Sequence, residues 1–157
     1  MDKIRPVVVR PDFVDNFDTL ENVSKEKIAI DEAFVGSCNN GRIEDLRAAA
    51  EVVRGKKISP KVRFLVAPAS QSVYIQALKE GVITDLVKAG AMMMNTNCSV
   101  CWGSCQGVIG PNEVLISTGT RNFKGRAGDP SSKVYMASAA TVAASALAGY
   151  ITGNYEV

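Results

Sequence analysis

The 157-residue sequence contains no histidine, which removes the commonest acid/base side chain and the commonest nitrogen ligand of zinc and non-haem iron. Acid/base or metal chemistry must therefore use cysteine, arginine or carboxylate side chains, or groups that a partner supplies. An excess of one charge is also missing, because 16 Asp and Glu residues nearly balance 18 scattered Lys and Arg residues. This balance argues against nucleic acid or a membrane surface as a partner.

Long apolar runs are absent as well. No stretch reaches the roughly 18 consecutive apolar residues that span a bilayer, and the polar opening Met1-Asp2-Lys3 does not resemble a signal peptide. These features predict a cytoplasmic protein. Four cysteines in that setting are more typical of free thiols or metal ligands than of disulfides, since a chain with 46% hydrophobic residues builds a core without covalent bridges.

Apolar runs alternate with helical patterns along most of the chain. The pattern predicts strands near 33–35, 62–66, 91–94, 114–117 and 134–136, and helices over 43–53, 70–78, 82–88 and 139–148. This alternation predicts an α/β fold, a three-layer α/β/α domain with a largely parallel sheet. Residues 1–27 are charged and contain two prolines, so they are predicted to be a lead-in or linker segment before one packed domain over 28–157.

The helix over 43–53 carries clear terminal signals. Asn40 is its predicted N-cap, and Glu44 and Asp45 are acidic residues in its first turn. Arg47 is predicted to pair with these two carboxylates on the helix surface.

Residues suited to ligand binding follow the predicted strands. Cys38 follows the first strand, Pro68-Ala69-Ser70 the second, Cys98 the third and Arg121 the fourth. The carboxyl ends of parallel strands meet at one edge of the sheet, where ligands bind in open α/β folds. The sequence therefore predicts one site that gathers these groups.

The segment Cys98-Ser99-Val100-Cys101 is a C-x-x-C motif, which fits a zinc knuckle, a redox dithiol or a pair of iron–sulfur ligands. Polar residues before the motif and Gly103 after it indicate a loop, which disfavours a thioredoxin-like dithiol. Together with Cys38 and Cys105, the pair makes a four-cysteine zinc site. With Cys38 alone it makes a three-thiolate set, which suits a cubane cluster with one iron left open as a Lewis acid. The residues themselves leave both interpretations open.

Arg121 and Arg126 lie five residues apart in a glycine-containing segment. Guanidinium groups bind carboxylates through two parallel hydrogen bonds, so a site for substrate carboxylates is one interpretation. A solvated basic loop is the simpler alternative for an isolated pair of arginines.

Four ordered motifs together resemble the aconitase superfamily, specifically the third domain of the large subunit of isopropylmalate dehydratases and homoaconitases. The motifs are Gly36-Ser37-Cys38-Asn39-Asn40-Gly41-Arg42, Pro68-Ala69-Ser70, Asn97-Cys98-Ser99-Val100-Cys101-Trp102-Gly103 and Arg121-Asn122-Phe123-Lys124-Gly125-Arg126. The resemblance extends from about Val7 to the end of the chain. It implies that Cys38, Cys98 and Cys101 hold a [4Fe–4S] cluster, that Arg121 and Arg126 bind substrate carboxylates, and that Cys105 is a bystander.

The resemblance also implies a reaction and partners. The implied activity is that of a hydro-lyase, which removes water from a hydroxy-di- or tricarboxylate such as isopropylmalate or homocitrate and adds it back at the neighbouring carbon. Such enzymes serve amino-acid biosynthesis, for example that of leucine. Relatives carry Asp–His pairs on two preceding domains and a catalytic serine on a swivelling domain or small subunit. This chain is therefore expected to need the remaining large-subunit domains and a small subunit, and to be inactive alone.

Two positions depart from the family pattern. Asn39 stands where the family usually has Thr, and Thr120 stands where Asn commonly precedes the arginine. Because both positions adjoin the implied cluster, cluster stability or substrate preference is expected to differ. The absence of histidine and these two substitutions motivate an alternative from another class, a non-catalytic cluster-binding or zinc-binding α/β module.

Overall fold

The computed structural model describes residues 5–153, which form one seven-stranded mixed sheet with helices. The strands are β1 (Val7–Val9), β2 (Phe17–Thr19), β3 (Glu32–Gly36), β4 (Arg63–Ala67), β5 (Met92–Met93), β6 (Val114–Ser117) and β7 (Lys133–Met136). The helices are α1 (Leu20–Lys25), α2 (Ser37–Asn40), α3 (Ile43–Val53), α4 (Gln71–Lys79), α5 (Val82–Ala89) and α6 (Ala139–Ala148), and a 3-10 turn covers Ser99–Trp102. Residues 1–4 of the predicted lead-in segment and residues 154–157 lie outside the described part of the chain.

The sheet order is β2-β1-β7-β6-β3-β4-β5, with β3 near the centre. Strand β3 pairs in parallel with β4 and β6, and the β4–β5 and β6–β7 pairings are parallel as well. The register places Gly36 opposite Ala67 and Phe34 opposite Ser117. The loops that follow β3, β4 and β6 therefore leave the sheet at the same edge, as the sequence predicts.

The two faces of the sheet are covered differently. Alternate residues of β3, such as Ala33 and Val35, face the cluster that contains the buried residues of helices α1, α3, α4, α5 and α6. Phe34 and Leu65 face a smaller cluster, which Val100 of the 3-10 turn and loop residue Ile109 complete. The α/β class and the largely parallel sheet are confirmed, and the layer that carries the C-x-x-C motif is irregular rather than built of long helices.

The predicted helices are confirmed, whereas two details of α3 are wrong. Arg42 is the N-cap residue, and its backbone N–H donates to the Asp45 carboxylate at 3.1 Å. Asn40 instead lies in α2, where its side chain donates to the Thr118 carbonyl. Arg47 pairs with Glu80 beyond the end of α4, at 2.7 Å, because α4 lies alongside α3 in the fold.

Residues 7–25 of the predicted lead-in segment are part of the packed structure. Strands β1 and β2 form an antiparallel hairpin, and β1 extends the sheet through an antiparallel pairing of Val9 with Met136. Val8, Leu20 and Val23 are buried in the main core. Three-residue strands are too short for their alternation to be recognised among flanking charges and prolines. No helix within residues 5–153 has the length and apolar character to span a membrane.

Glu32, at the start of β3, is 1% exposed. Its Oε2 accepts a hydrogen bond from Arg63 Nε at 3.0 Å, while the Arg63 Nη atoms donate to the Glu113 carboxylate at 2.7 and 2.9 Å. Its Oε1 has no hydrogen-bond partner within the described part of the chain and lies beside Gly107. Desolvation by burial raises the pKa of Glu32 to about 7, although the hydrogen bond from Arg63 opposes this shift.

The burial of Glu32 is expected to make stability fall as pH rises from about 4.5 to about 7. The pKa is about 7 in the folded chain and 4.5 for an ordinary glutamate, so folding favours the protonated form. Relative to a Glu32→Gln variant, the wild type is expected to lose up to about 3 kcal/mol of unfolding free energy across this range. Urea unfolding at a series of pH values measures the difference, with exposed Glu51→Gln as control. A pH-independent difference between wild type and Glu32→Gln would contradict this assignment.

Candidate functional site

Cys38 lies in α2, directly after the central strand β3. The chain turns there through Gly36 (φ 155°) and the buried Ser37 (φ 80°). A Cβ atom on Gly36 would overlap the Ala67 carbonyl, so glycine allows β3 to pack closely on β4 as it ends. Cys38 itself is exposed at the carboxyl edge of the sheet.

Thr118, just after β6, links this turn to β6 through hydrogen bonds. Its Oγ1 accepts a hydrogen bond from the Gly36 N–H at 3.0 Å and lies 3.3 Å from Gly36 O and 3.4 Å from Asn40 O, either of which accepts the hydroxyl proton. The Asn40 side chain donates to the Thr118 carbonyl in return. Thr118 is 4% exposed, so these bonds form away from water and fix the Cys38 loop against the loop after β6.

The two cysteines of the C-x-x-C motif lie at the 3-10 turn, where Cys98 is the N-cap and Cys101 is within the turn. Asn97 Oδ1 accepts a hydrogen bond from the Ser99 N–H at 2.6 Å, and the Ser99 hydroxyl donates to the Gln106 carbonyl at 3.0 Å. Ser99 is buried with φ 46°, a conformation that is uncommon for a residue with a side chain. Such strain persists only where the surroundings determine the conformation, so this turn holds Cys98 and Cys101 in a defined arrangement.

The structure brings the predicted cysteines together. The pKa of the Cys98 thiol is raised above its ordinary value. Desolvation by the surrounding protein is the largest cause of this shift, although the residue as a whole is exposed. A hydrogen bond to Cys38 and the charges of Cys38, Cys101 and Cys105 raise the pKa further. Cys98 therefore lies near the other three thiols. Cys101 lies next to Gly119, where an added Cβ would be 3.7 Å from its Sγ.

The thiols are close without forming a site for a single ion. Within residues 5–153, no three cysteine or carboxylate side chains are gathered tightly enough to hold one metal ion. Thiolates are soft ligands that bind both iron–sulfur clusters and zinc, so the donor set of Cys38, Cys98 and Cys101 fits either group by its chemistry.

The two predicted substrate arginines have different surroundings. Arg121 is exposed, and its Nη1 donates only to the adjacent Thr120 carbonyl at 2.7 Å. Arg126 is half-buried, its Nε donates to the Cys101 carbonyl at 2.7 Å, and its guanidinium lies 5.4 Å from the centre of the Phe123 ring. Both arginines therefore follow β6 at the cysteine edge, but only Arg126 contacts the C-x-x-C turn in the described structure.

Asn122, between the two arginines, was not predicted as an important residue. It is 1% exposed, and its Nδ2 donates to the carbonyls of Arg10 and Phe13 in the β1–β2 loop. Its own carbonyl accepts the Asp12 N–H at 3.1 Å. Asn122 thus joins the segment 121–126, called the arginine loop below, to the N-terminal hairpin. No pattern in the sequence connects these distant segments.

A groove of about 420 Å³ lies beside the Cys38 loop. Asn40, Thr118, Gly119 and Ser138 line part of it, and Ser138 is the N-cap of α6, where its hydroxyl accepts the Thr141 N–H at 3.3 Å. Ser138 is the second residue after β7, and a serine between a strand and a helical pattern is the signal that would have placed it at this edge. A larger cavity, of about 580 Å³, lies near Leu20 and has no cysteine in its lining, so size alone does not identify the site.

Comparison with protein families and with curated proteins finds relatives of this chain. The model of the aconitase family (aconitate hydratase) matches residues 10–149. The 3-isopropylmalate dehydratase large subunit of Mycolicibacterium smegmatis is 48% identical over 155 residues, which cover 98% of this chain and 36% of that protein. The homoaconitase large subunit of Thermus thermophilus is 46% identical over 154 residues, which cover 98% of this chain and 36% of that protein.

A third relative shows the same partial coverage. The 3-isopropylmalate dehydratase large subunit 1 of Thermotoga maritima is 45% identical over 149 residues, or 95% of this chain and 36% of that protein. The chain therefore spans about a third of the length of the curated relatives that it matches.

Replacing Asn122 by Ala is expected to destabilise the fold and release the β1–β2 loop. The variant removes the donor of two part-buried hydrogen bonds to backbone carbonyls, which costs about 2 kcal/mol in total. Urea unfolding measures the loss, and limited proteolysis within 10–17 should become faster. Asn22→Ala, which removes an exposed hydrogen bond to Asp18, is the matched control. Equal stability and equal proteolysis of both variants would show that Asn122 does not hold the hairpin.

Proposed function

Because the chain belongs to the aconitase family, we propose that it is the cluster-binding and part of the substrate-binding portion of a hydro-lyase. The observation that supports the proposal is that Cys98 interacts with Cys38 and Cys101 while Arg126 donates to the Cys101 carbonyl, with Arg121 in the same loop as Arg126. Several ligand-binding groups thus meet where an open α/β sheet binds its ligands. The proposed reaction is removal of water from a hydroxy-di- or tricarboxylate and its addition to the neighbouring carbon.

The proposed cofactor is a [4Fe–4S] cluster held by Cys38, Cys98 and Cys101. Soft thiolate ligands select iron–sulfur clusters, and the exposure of Cys38 and Cys98 leaves that side of the site accessible. Three protein thiolates for four irons leave one iron with an open position, which supplies a Lewis acid for a hydroxyl group. Cys105 is exposed and is not needed for this set.

The proposed substrate contacts come from the arginines. Arg121 uses one Nη donor for the Thr120 carbonyl, so most of its five N–H groups remain for a substrate carboxylate. The Nη atoms of Arg126 form a second such group next to the C-x-x-C turn. Two guanidinium groups in the loop beside the proposed cluster suit an acid with two or more carboxylates. Isopropylmalate and homocitrate are the proposed candidates, in accord with the names of the relatives.

The acid/base groups are proposed to come from outside this chain. The sequence has no histidine, and the chain matches only about a third of its relatives' length. We therefore propose that the remaining large-subunit domains and a small, swivelling subunit complete the site. The isolated chain should bind the cluster but have negligible hydro-lyase activity.

Anaerobic reconstitution with iron and sulfide tests the cofactor assignment. The wild-type chain should bind about four irons and four sulfides, and Cys38→Ser should lose most of both, because it removes one of only three ligands. Cys105→Ser is the matched control and should bind as much as the wild type. Zinc binding without sulfide, lost in Cys105→Ser, would contradict the proposal and indicate a four-cysteine zinc site.

Substrate turnover tests the role of Arg121. Mixed with the missing domains of a related large subunit and with a small subunit, the reconstituted chain should hydrate or dehydrate isopropylmalate or homocitrate. Arg121→Lys keeps the charge but loses the paired hydrogen bonds, so kcat/KM should fall about tenfold to a hundredfold. Lys124→Gln removes a charge from the same loop and is the control. Wild-type kcat/KM in Arg121→Lys, together with a loss in Lys124→Gln, would show that Arg121 acts through general charge alone.

A further inference from the structure

We infer that Arg126 is a positioning residue for the turn that carries Cys98 and Cys101. The inference rests on the proposed function, in which these cysteines hold a cluster. The carrying observation is the hydrogen bond from Arg126 Nε to the Cys101 carbonyl at 2.7 Å, between residues 25 positions apart in the sequence. The carbonyl belongs to the backbone of a proposed ligand, so this bond acts on the ligand's position rather than on its thiol.

The contact is part of a close approach between two loops. A Cβ atom on Gly103, the residue that ends the 3-10 turn with φ 75°, would overlap the Arg126 carbonyl oxygen. The residue that follows the arginine loop, Ala127, makes a further backbone contact, because its carbonyl accepts a hydrogen bond from the Ile109 N–H at 3.0 Å. The backbone of the arginine loop therefore packs against the backbone of the cysteine turn. The Arg126 side chain adds a hydrogen bond between the same two segments, from its Nε to the Cys101 carbonyl.

The Arg126 side chain is held from a second side. Its guanidinium lies 5.4 Å from the centre of the Phe123 ring, and its backbone N–H donates to the Phe123 carbonyl at 3.0 Å. A cation over an aromatic face is attracted to the ring, which restrains the plane of the guanidinium. With Nε bound to Cys101 and the plane restrained, the Nη atoms have a fixed direction.

This arrangement gives the two arginines different tasks. Within residues 5–153, the exposed Arg121 donates only to its neighbour Thr120, so its loss removes a binding group without a hydrogen bond to the cysteine turn being lost. Arg126 joins the turn to the substrate side of the loop through one rigid fork of donors. Because Nε and the Nη atoms belong to one planar group, a carboxylate bound by the Arg126 Nη atoms would lie at a fixed distance from the Cys101 carbonyl.

The single tryptophan of the chain tests this inference without any cluster. Trp102 adjoins Cys101 and is 59% exposed, so its fluorescence anisotropy reports the mobility of the turn. In the cluster-free chain, Arg126→Gln should lower this anisotropy, and Arg126→Lys should not restore it, because an ammonium lacks the Nε–Nη fork. Arg121→Gln should leave the anisotropy at the wild-type value. Unfolding by urea, followed by circular dichroism, identifies any variant that fails to fold.

A second readout uses the reconstituted chain. Iron release to a chelator should be at least about tenfold faster in Arg126→Gln than in wild type, and unchanged in Arg121→Gln, since the charge-assisted hydrogen bond to the Cys101 carbonyl is lost only in the former. Wild-type anisotropy in folded Arg126→Gln would overturn the inference, and so would equal anisotropy losses in the two glutamine variants. If no variant binds a cluster, the proposed function fails, while the anisotropy still decides the role of Arg126.

Discussion

The candidate site depends on the way in which the central strand β3 ends. Gly36 lets β3 lie against Ala67 at a distance that no side chain permits, and the buried Thr118 hydroxyl binds the backbone of Gly36. These contacts end three parallel strands at one level and join their loops. Cys38 follows the first of these strands, and Arg121 follows Thr118 by three residues. A change that separated β3 from β4 or β6 would therefore disperse the site.

The loops themselves are held by side chains that bind backbone groups. Asn97 and Ser99 shape the cysteine turn, Arg126 binds it from the arginine loop, and Asn122 joins the arginine loop to the N-terminal hairpin. Bonds of this kind fix irregular backbone that no helix or strand supports. They also explain how the irregular face of the sheet presents ligands in a defined arrangement while the opposite face is covered by helices.

Sequence patterns predicted the parts of the fold that repeat locally. The limits of the helix over 43–53 and the strand over 114–117 agree with the structure, because their apolar residues follow the period of a helix or a strand. The hairpin of β1 and β2 was missed because its strands are short and β1 pairs with β7 at the far end of the chain. The contacts of Arg47 with Glu80 and of Arg126 with Cys101 depend on tertiary packing, which no local pattern encodes.

The candidate site was predicted by residue type and by position after the strands, and the structure adds how its members are supported. We propose above all that three thiolates hold a four-iron cluster with one iron left open. The decisive experiment is Mössbauer spectroscopy of the chain reconstituted with isotopically enriched iron and mixed with the missing large-subunit domains and a small subunit. One iron in four is expected to change its spectrum when isopropylmalate or homocitrate is added, while the other three do not. Four irons that all remain unchanged, or a spectrum without a cluster, would contradict it.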